Sequence, residues 1–129
     1  MKKLLVPVLM IVFTAAMLTS CKGQNKQELQ PKSFDSAIGA SNHILVLDVR
    51  TEGEYAKGHI KGAQNIDVEG DNFVKNITAL DKKTPVYVYC HSGRRSDNAA
   101  GQMRKMGFVN VYELQGGIAA WEDAGLPTE

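Results

Sequence analysis

The chain has 129 residues, with 15 Lys and Arg against 14 Asp and Glu, so its length suits one domain and its charge is nearly balanced. That balance leaves no basic excess to suggest a nucleic-acid partner. Apolar content, at 43%, is that of an ordinary globular protein.

Residues 1–20 read as a signal peptide outside the fold. Met1-Lys2-Lys3 is a short basic start, Leu4–Leu18 is almost entirely apolar, and small residues precede the cut. The apolar run is short for a membrane span. It ends in Leu18-Thr19-Ser20-Cys21, which resembles the lipobox of bacterial lipoproteins. In that class the cysteine carries lipid and becomes the mature N-terminus. The resemblance implies a chain anchored to a membrane through Cys21 rather than spanning it, with its domain in the bacterial cell envelope beyond the cytoplasmic membrane. Lys22 stands where an Asp would resemble an inner-membrane retention signal, which favours an outer membrane where there is one. Residues 21–27 form the lipidated cysteine and a polar tether, and residues 28–129 the domain. Cys90 is then the only other thiol, with no partner for an intramolecular disulfide.

Glu28-Leu29-Gln30 reads as a first strand stopped by Pro31. Ser33 is a candidate N-cap for a short helix carrying Phe34, Ala37 and Ile38 on one face. Ile44-Leu45-Val46-Leu47 is a continuous apolar run, suited to a strand buried on both faces of a parallel sheet. It leads into Asp48-Val49-Arg50. Thr51-Glu52-Gly53-Glu54 has capping-box spacing and starts another helix. Gly58–Ala63 is a glycine-bracketed loop, and Asn65–Val68 a brief strand. Asp71 is the expected cap of a helix whose apolar face is Phe73, Val74, Ile77 and Leu80. Phe108–Tyr112 reads as the last strand. Gly116-Gly117 opens a final helix with Ile118, Ala119 and Trp121, ended by Gly125-Leu126-Pro127.

The stretch Pro85–Gly107 organises the rest. Val86-Tyr87-Val88-Tyr89 alternates as a strand does and ends at Cys90. A polar loop follows, His91-Ser92-Gly93-Arg94-Arg95. Ser96, Ala99, Ala100, Met103 and Met106 then recur at helical spacing, and Gly107 sits where a left-handed cap belongs. Cys90 therefore leaves a strand and faces a helix start. The amides there lack internal partners, the macrodipole adds partial positive charge, and Arg94 and Arg95 add whole charges. All of these favour thiolate, the nucleophilic form. The alternative is a buried cysteine that merely ends a core strand.

Strands alternate with helices along the domain, which implies a mostly parallel sheet covered on both faces. Sites in such sheets form at the carboxyl ends of strands, where Asp48 and Cys90 both fall.

In order and spacing, these residues resemble the single-domain rhodanese-like sulfurtransferases. The resemblance rests on Leu47-Asp48-Val49-Arg50 with Glu54-Tyr55, on Gly58-His59-Ile60-Lys61-Gly62-Ala63, and on Val88 through Ser96. Gly107-Phe108, Val111, Leu114 through Ile118, Trp121 and Gly125-Leu126-Pro127 complete it, so that it covers about Glu28–Pro127. It implies an α/β three-layer domain: a central five-stranded parallel sheet with helices on both faces. It also implies that Cys90 attacks the outer sulfur of a donor such as thiosulfate, forming a persulfide that a thiol or cyanide-like acceptor later discharges. The amides from His91 to Ser96 can cradle the sulfur anion, and Arg94 and Arg95 can hold an oxyanion donor. Ser92 and Ser96 can donate hydroxyls, with Ser96 equally explained as a helix N-cap. His91, at a variable family position, reads as a bystander. Asp48 and Arg50 read as structural, Asp48 bracing the loop and Arg50 pairing with a carboxylate such as Glu54. His59 reads as structural, and Trp121, Met103 and Met106 as core. The chemistry calls for no metal or organic cofactor. The expected state is a monomer, with an acceptor protein left open.

Three rival readings remain. Phosphatases and arsenate reductases of this fold place five residues between Cys and Arg, whereas four separate Cys90 from Arg95 and Tyr89 precedes the cysteine. Non-catalytic modules of the family usually lack the cysteine. A sulfur or redox carrier that works only with a partner would keep it.

Overall fold

The computed structural model describes residues 26–129, so the signal-peptide and Cys21 readings lie outside it. Five strands and five helices alternate among the described residues: β1 (Gln27–Leu29), α1 (Pro31–Gly39), β2 (Leu45–Asp48), α2 (Glu52–Lys57), β3 (Gln64–Asn65), α3 (Phe73–Thr78), β4 (Val86–Tyr89), α4 (Arg94–Lys105), β5 (Val111–Leu114) and α5 (Gly117–Asp123). The strands form one parallel sheet in the order β1-β5-β4-β2-β3.

The two-residue period of a strand divides the core into two layers. Leu47, Val86, Val88, Val111 and Cys90 point toward α3 and α4, where they meet Phe73, Ile77, Ala99, Ala100 and Met103. Val46, Tyr89 and Leu114 point the other way, onto Phe34 of α1 and Ile118 and Trp121 of α5. Cys90 thus inherits the parity of Val86 and Val88, and that parity aims it at the start of α4.

The chain leaves β2 toward β3 on one side and leaves β4 toward β5 on the other. The two departures open a crevice between the carboxyl ends of β2 and β4. Asp48 and Tyr89 are register partners at that edge.

Several local expectations shift. Gln30, not Ser33, precedes the first turn of α1, because Pro31 occupies the first turn with its φ already suited to a helix. Asn72, not Asp71, is the cap position of α3, and its side chain makes no cap hydrogen bond. Val74 is 55% exposed, since a residue one step from Phe73 is turned about 100° away on a helix. β5 starts at Val111 rather than Phe108. Gly107 (φ 95°) ends α4 in a Schellman turn, with Phe108 N–H to Met103 O at 3.1 Å and Gly107 N–H to Arg104 O at 3.1 Å. Phe108 is spent folding back onto the core, and Val109 is 67% exposed. The capping box at Thr51 and Glu54 forms as expected.

Gly117 sets the tightest approach in the fold. Its φ is 65°, and a β-carbon there would lie 2.3 Å from His91 O and 2.7 Å from Cys90 O. Gly125 has a similar φ of 76° but open space around it. Gly117→Ala is therefore expected to cost about 3 kcal/mol or more, from overpacking plus left-handed strain. Gly125→Ala should cost about 1–2 kcal/mol, from strain alone. Urea unfolding midpoints of the two variants check this; equal losses would remove the special role of the Gly117 contact.

Candidate active site

Cys90 lies just past β4, and its side chain is only 1% exposed. It is nevertheless not surrounded by hydrocarbon alone. The Gly93 N–H points at Sγ from 3.0 Å, and Ser96 Oγ lies 3.5 Å away. Gly93 (φ 113°) turns the loop so that its amide can reach the sulfur, a conformation that disfavours other residues.

The other side of the loop explains how the amides come to face inward. Ile118 N–H donates to Cys90 O at 2.9 Å and Ala119 N–H to His91 O at 3.1 Å. The first amides of α5 thus hold the loop carbonyls, and Gly117 admits the loop close enough for this. A trans peptide points its N–H opposite its C=O, so the two held carbonyls turn the His91 and Ser92 amides away from α5, while the Gly93 amide belongs to the next peptide and is aimed by the turn at Gly93 itself.

Burial pushes the Cys90 thiol up, because a charged sulfur loses water. The Ser96 hydroxyl and the backbone amides of Ser96, Gly93 and Ser92 outweigh that and hold the thiol below its ordinary value. Ser96 Oγ also donates to Gly93 O at 3.0 Å. A neutral thiol can donate to Ser96 Oγ, whereas a thiolate takes the hydroxyl proton away from Gly93 O. Ser96 is fully buried at the third position of α4, and the N-cap position belongs to Gly93, which corrects the N-cap reading. His91 and Ser92 are exposed at the loop surface.

The two arginines differ. Arg94 is exposed and makes no ion pair among the described residues. Arg95 is partly buried and grips Glu54 with both terminal nitrogens, at 2.7 and 2.8 Å. Glu54 Oε2 also accepts from Thr51 N–H at 3.1 Å and Thr51 Oγ1 at 3.0 Å. Arg95 foremost holds the Glu54 carboxyl down at about 2. The pair therefore stays charged at any pH where the protein would normally work.

Arg50 does not pair with Glu54 as the sequence suggested. Its Nη2 lies 2.7 Å from Asp48 Oδ2 and 2.7 Å from Gly58 O, and its Nε lies 3.0 Å from Asp48 Oδ1. Asp48 is fully buried and Arg50 5% exposed. Asp48 also accepts the Arg50 N–H at 2.9 Å, so it braces the turn after β2 rather than the Cys90 loop. The sequence offers Glu54 as a partner for the nearby Arg50 and does not place it beside the Cys90 loop, because a pairing 41 residues away leaves no local signal.

One side of the loop opens on a cavity of about 110 Å³ lined by Val68, Glu69, Arg94, Arg95 and Asn98. A second cleft, on the side of His91, includes Arg50, Glu54, Lys57 and Ile118.

Because the folded thiol titrates low, thiolate persists as pH falls below the ordinary thiol range. Ser96→Ala keeps the amides but removes the hydroxyl, so the pH midpoint for alkylation of Cys90 by iodoacetamide should rise. An unchanged midpoint would remove Ser96 from thiolate stabilisation.

Comparison with known proteins agrees with this fold. A family model for the rhodanese-like domain matches residues 30–124. The thiosulfate sulfurtransferase GlpE of Pseudomonas fluorescens is 42% identical over 77 residues, 60% of this chain and 69% of that protein. YrkF of Bacillus subtilis, named as a sulfur carrier, is 34% identical over 94 residues; these cover 73% of this chain but 50% of YrkF, so the chain spans about half that relative's length. The crystal structure of a rhodanese-related protein from Thermoplasma volcanium superposes with a TM-score of 0.71 at 25% identity, covering 80% of this chain and 97% of that one. With a five-stranded parallel sheet, a cysteine loop at the carboxyl end of β4 and a family match across most of its length, the chain belongs to the rhodanese-like domain family.

Proposed function

We propose that the protein is a sulfurtransferase that works through a persulfide on Cys90. The observation that carries this reading is the inward-facing amide cradle on Sγ, which holds the thiol below its ordinary value. The Cys90 thiolate attacks the outer sulfur of thiosulfate and the S–S bond of the donor breaks. Sulfite leaves with the electron pair, and Cys90 keeps a persulfide anion; one negative charge plus two become one plus two. An acceptor thiolate or cyanide then attacks the outer persulfide sulfur and returns Cys90 as thiolate. The same amides that favour the thiolate suit the persulfide anion, because both carry one negative charge at nearly the same place. No step needs a metal or an organic cofactor. The name of the GlpE relative supports thiosulfate as a donor for this chain.

The four-residue spacing from Cys90 to Arg95 supports sulfur over phosphate as the transferred group. The 1% exposure of Cys90 favours one second reading, a carrier that receives or releases sulfur only when a partner protein engages the loop. The sulfur-carrier name of YrkF points the same way. Under either reading we place the domain, residues 28–129, as a monomer on a membrane through lipid at Cys21, within the bacterial envelope.

Intact-protein mass spectrometry after thiosulfate exposure tests the chemistry. One added sulfur atom is expected on wild type and none on Cys90→Ser; equal uptake by both would end the Cys90 mechanism. Steady-state thiocyanate formation with cyanide separates the two readings, since the carrier would load yet not turn over. Radiolabelled fatty acid should enter wild type and not Cys21→Ser, and label in both or in neither would remove the anchor.

A further inference from the structure

The Glu54–Arg95 pair has a consequence for donor recognition. Arg95 lines the cavity beside the loop, yet its guanidinium fork is already filled by the Glu54 carboxylate. Glu54 takes the Nη1/Nη2 edge of the guanidinium and cancels its charge, so the remaining Nε edge offers hydrogen-bond donors without net charge. Glu54 is itself held in place by Thr51 at the start of α2, so the pair ties α2 to the first turn of α4. Of the side chains lining the cavity, Arg94 is then the cation whose charge is not cancelled by an ion pair, and Glu69 stands in the same lining.

We propose that an anionic sulfur donor enters by this cavity and that Glu54 is a specificity-determining residue there: by neutralising Arg95 it leaves Arg94 as the charged contact. This rests on the sulfurtransferase reading and deepens it. The charges at the mouth, Arg94 and Arg95 against Glu54 and Glu69, cancel. With no net charge there, a dianion such as thiosulfate depends on its local contact with Arg94 and must give up more hydration than a monoanion. Removing the Glu54 charge while keeping its shape turns the pair from neutral to positive. Removing the Arg95 charge turns it negative.

The double-mutant cycle E54Q, R95Q and E54Q/R95Q tests this, because two amides can still bridge α2 and α4. For thiosulfate, kcat/KM should rise about fivefold in E54Q, the scale of one added unit charge at a partly solvated mouth, and fall by a similar factor in R95Q. The double variant should recover most of the loss of R95Q. Arg94→Ala should raise the thiosulfate KM about tenfold. If Arg95 were the donor clamp, the double variant would stay as impaired as R95Q, and that result overturns the proposal. So does an E54Q value within twofold of wild type.

The alkylation profile of Cys90 provides a second readout that needs no sulfur donor. Its pH midpoint should fall in E54Q, rise in R95Q and return in the double variant. A merely structural latch would shift all three in one direction, which also overturns the proposal. Should wild type take up no sulfur from thiosulfate, the sulfurtransferase reading fails, while the alkylation cycle still decides the role of Glu54.

Discussion

The site depends on the hold that α5 has on the peptide carbonyls of Cys90 and His91. Ile118 and Ala119 donate to those two oxygens, and the lack of a side chain at Gly117 lets the helix start come close enough to do so. Planarity of the peptide bond converts this hold into an electrostatic field. With these two carbonyls facing α5, the His91 and Ser92 amides face the other way, and the thiol lies where the Ser92 amide and those of Gly93 and Ser96 converge.

Two ion pairs then fix the walls of the crevice, and they do different jobs. Asp48–Arg50 is local and almost wholly buried, and it shapes the turn that leaves β2. Its worth is best judged by what breaking it would leave, an uncompensated charge in the interior. Glu54–Arg95 reaches between two helices at a partly exposed position. Pairs of that kind add little to stability, so its importance lies in the charge it presents at the mouth. Two arginines read from a sequence as two donor contacts are, in the folded chain, one exposed cation and one neutralised pair.

Burial of Cys90 is compatible with chemistry because its neighbours are partly polar. A sulfur enclosed by apolar atoms alone would be driven toward the neutral thiol. Here burial still works in that direction, but three amides and a hydroxyl work against it and prevail. A cavity of modest volume lies beside the loop, among Val68, Arg94 and Asn98.

Much of this was legible along the chain. The alternation of Val86 to Tyr89 set the parity that aims Cys90 at α4, and Thr51 with Glu54 announced the start of α2. Gly107 marked the end of α4. These features are local: hydrophobic period, capping pattern and left-handed glycine act over a few residues and leave their mark there. Boundaries failed where two local signals competed, as at Pro31 against Ser33 and at Phe108, whose apolar side chain serves a helix end rather than a strand. What folding in three dimensions decided was partnership. That Arg95 takes Glu54, leaving Arg50 to its neighbour Asp48, and that Gly117 lies against the Cys90–His91 peptide, are choices that involve residues far apart in sequence. Opposite charges and small residues are too common for composition to pair them; only the packing of α2, α4 and α5 around the ends of β2 and β4 brings particular ones within reach.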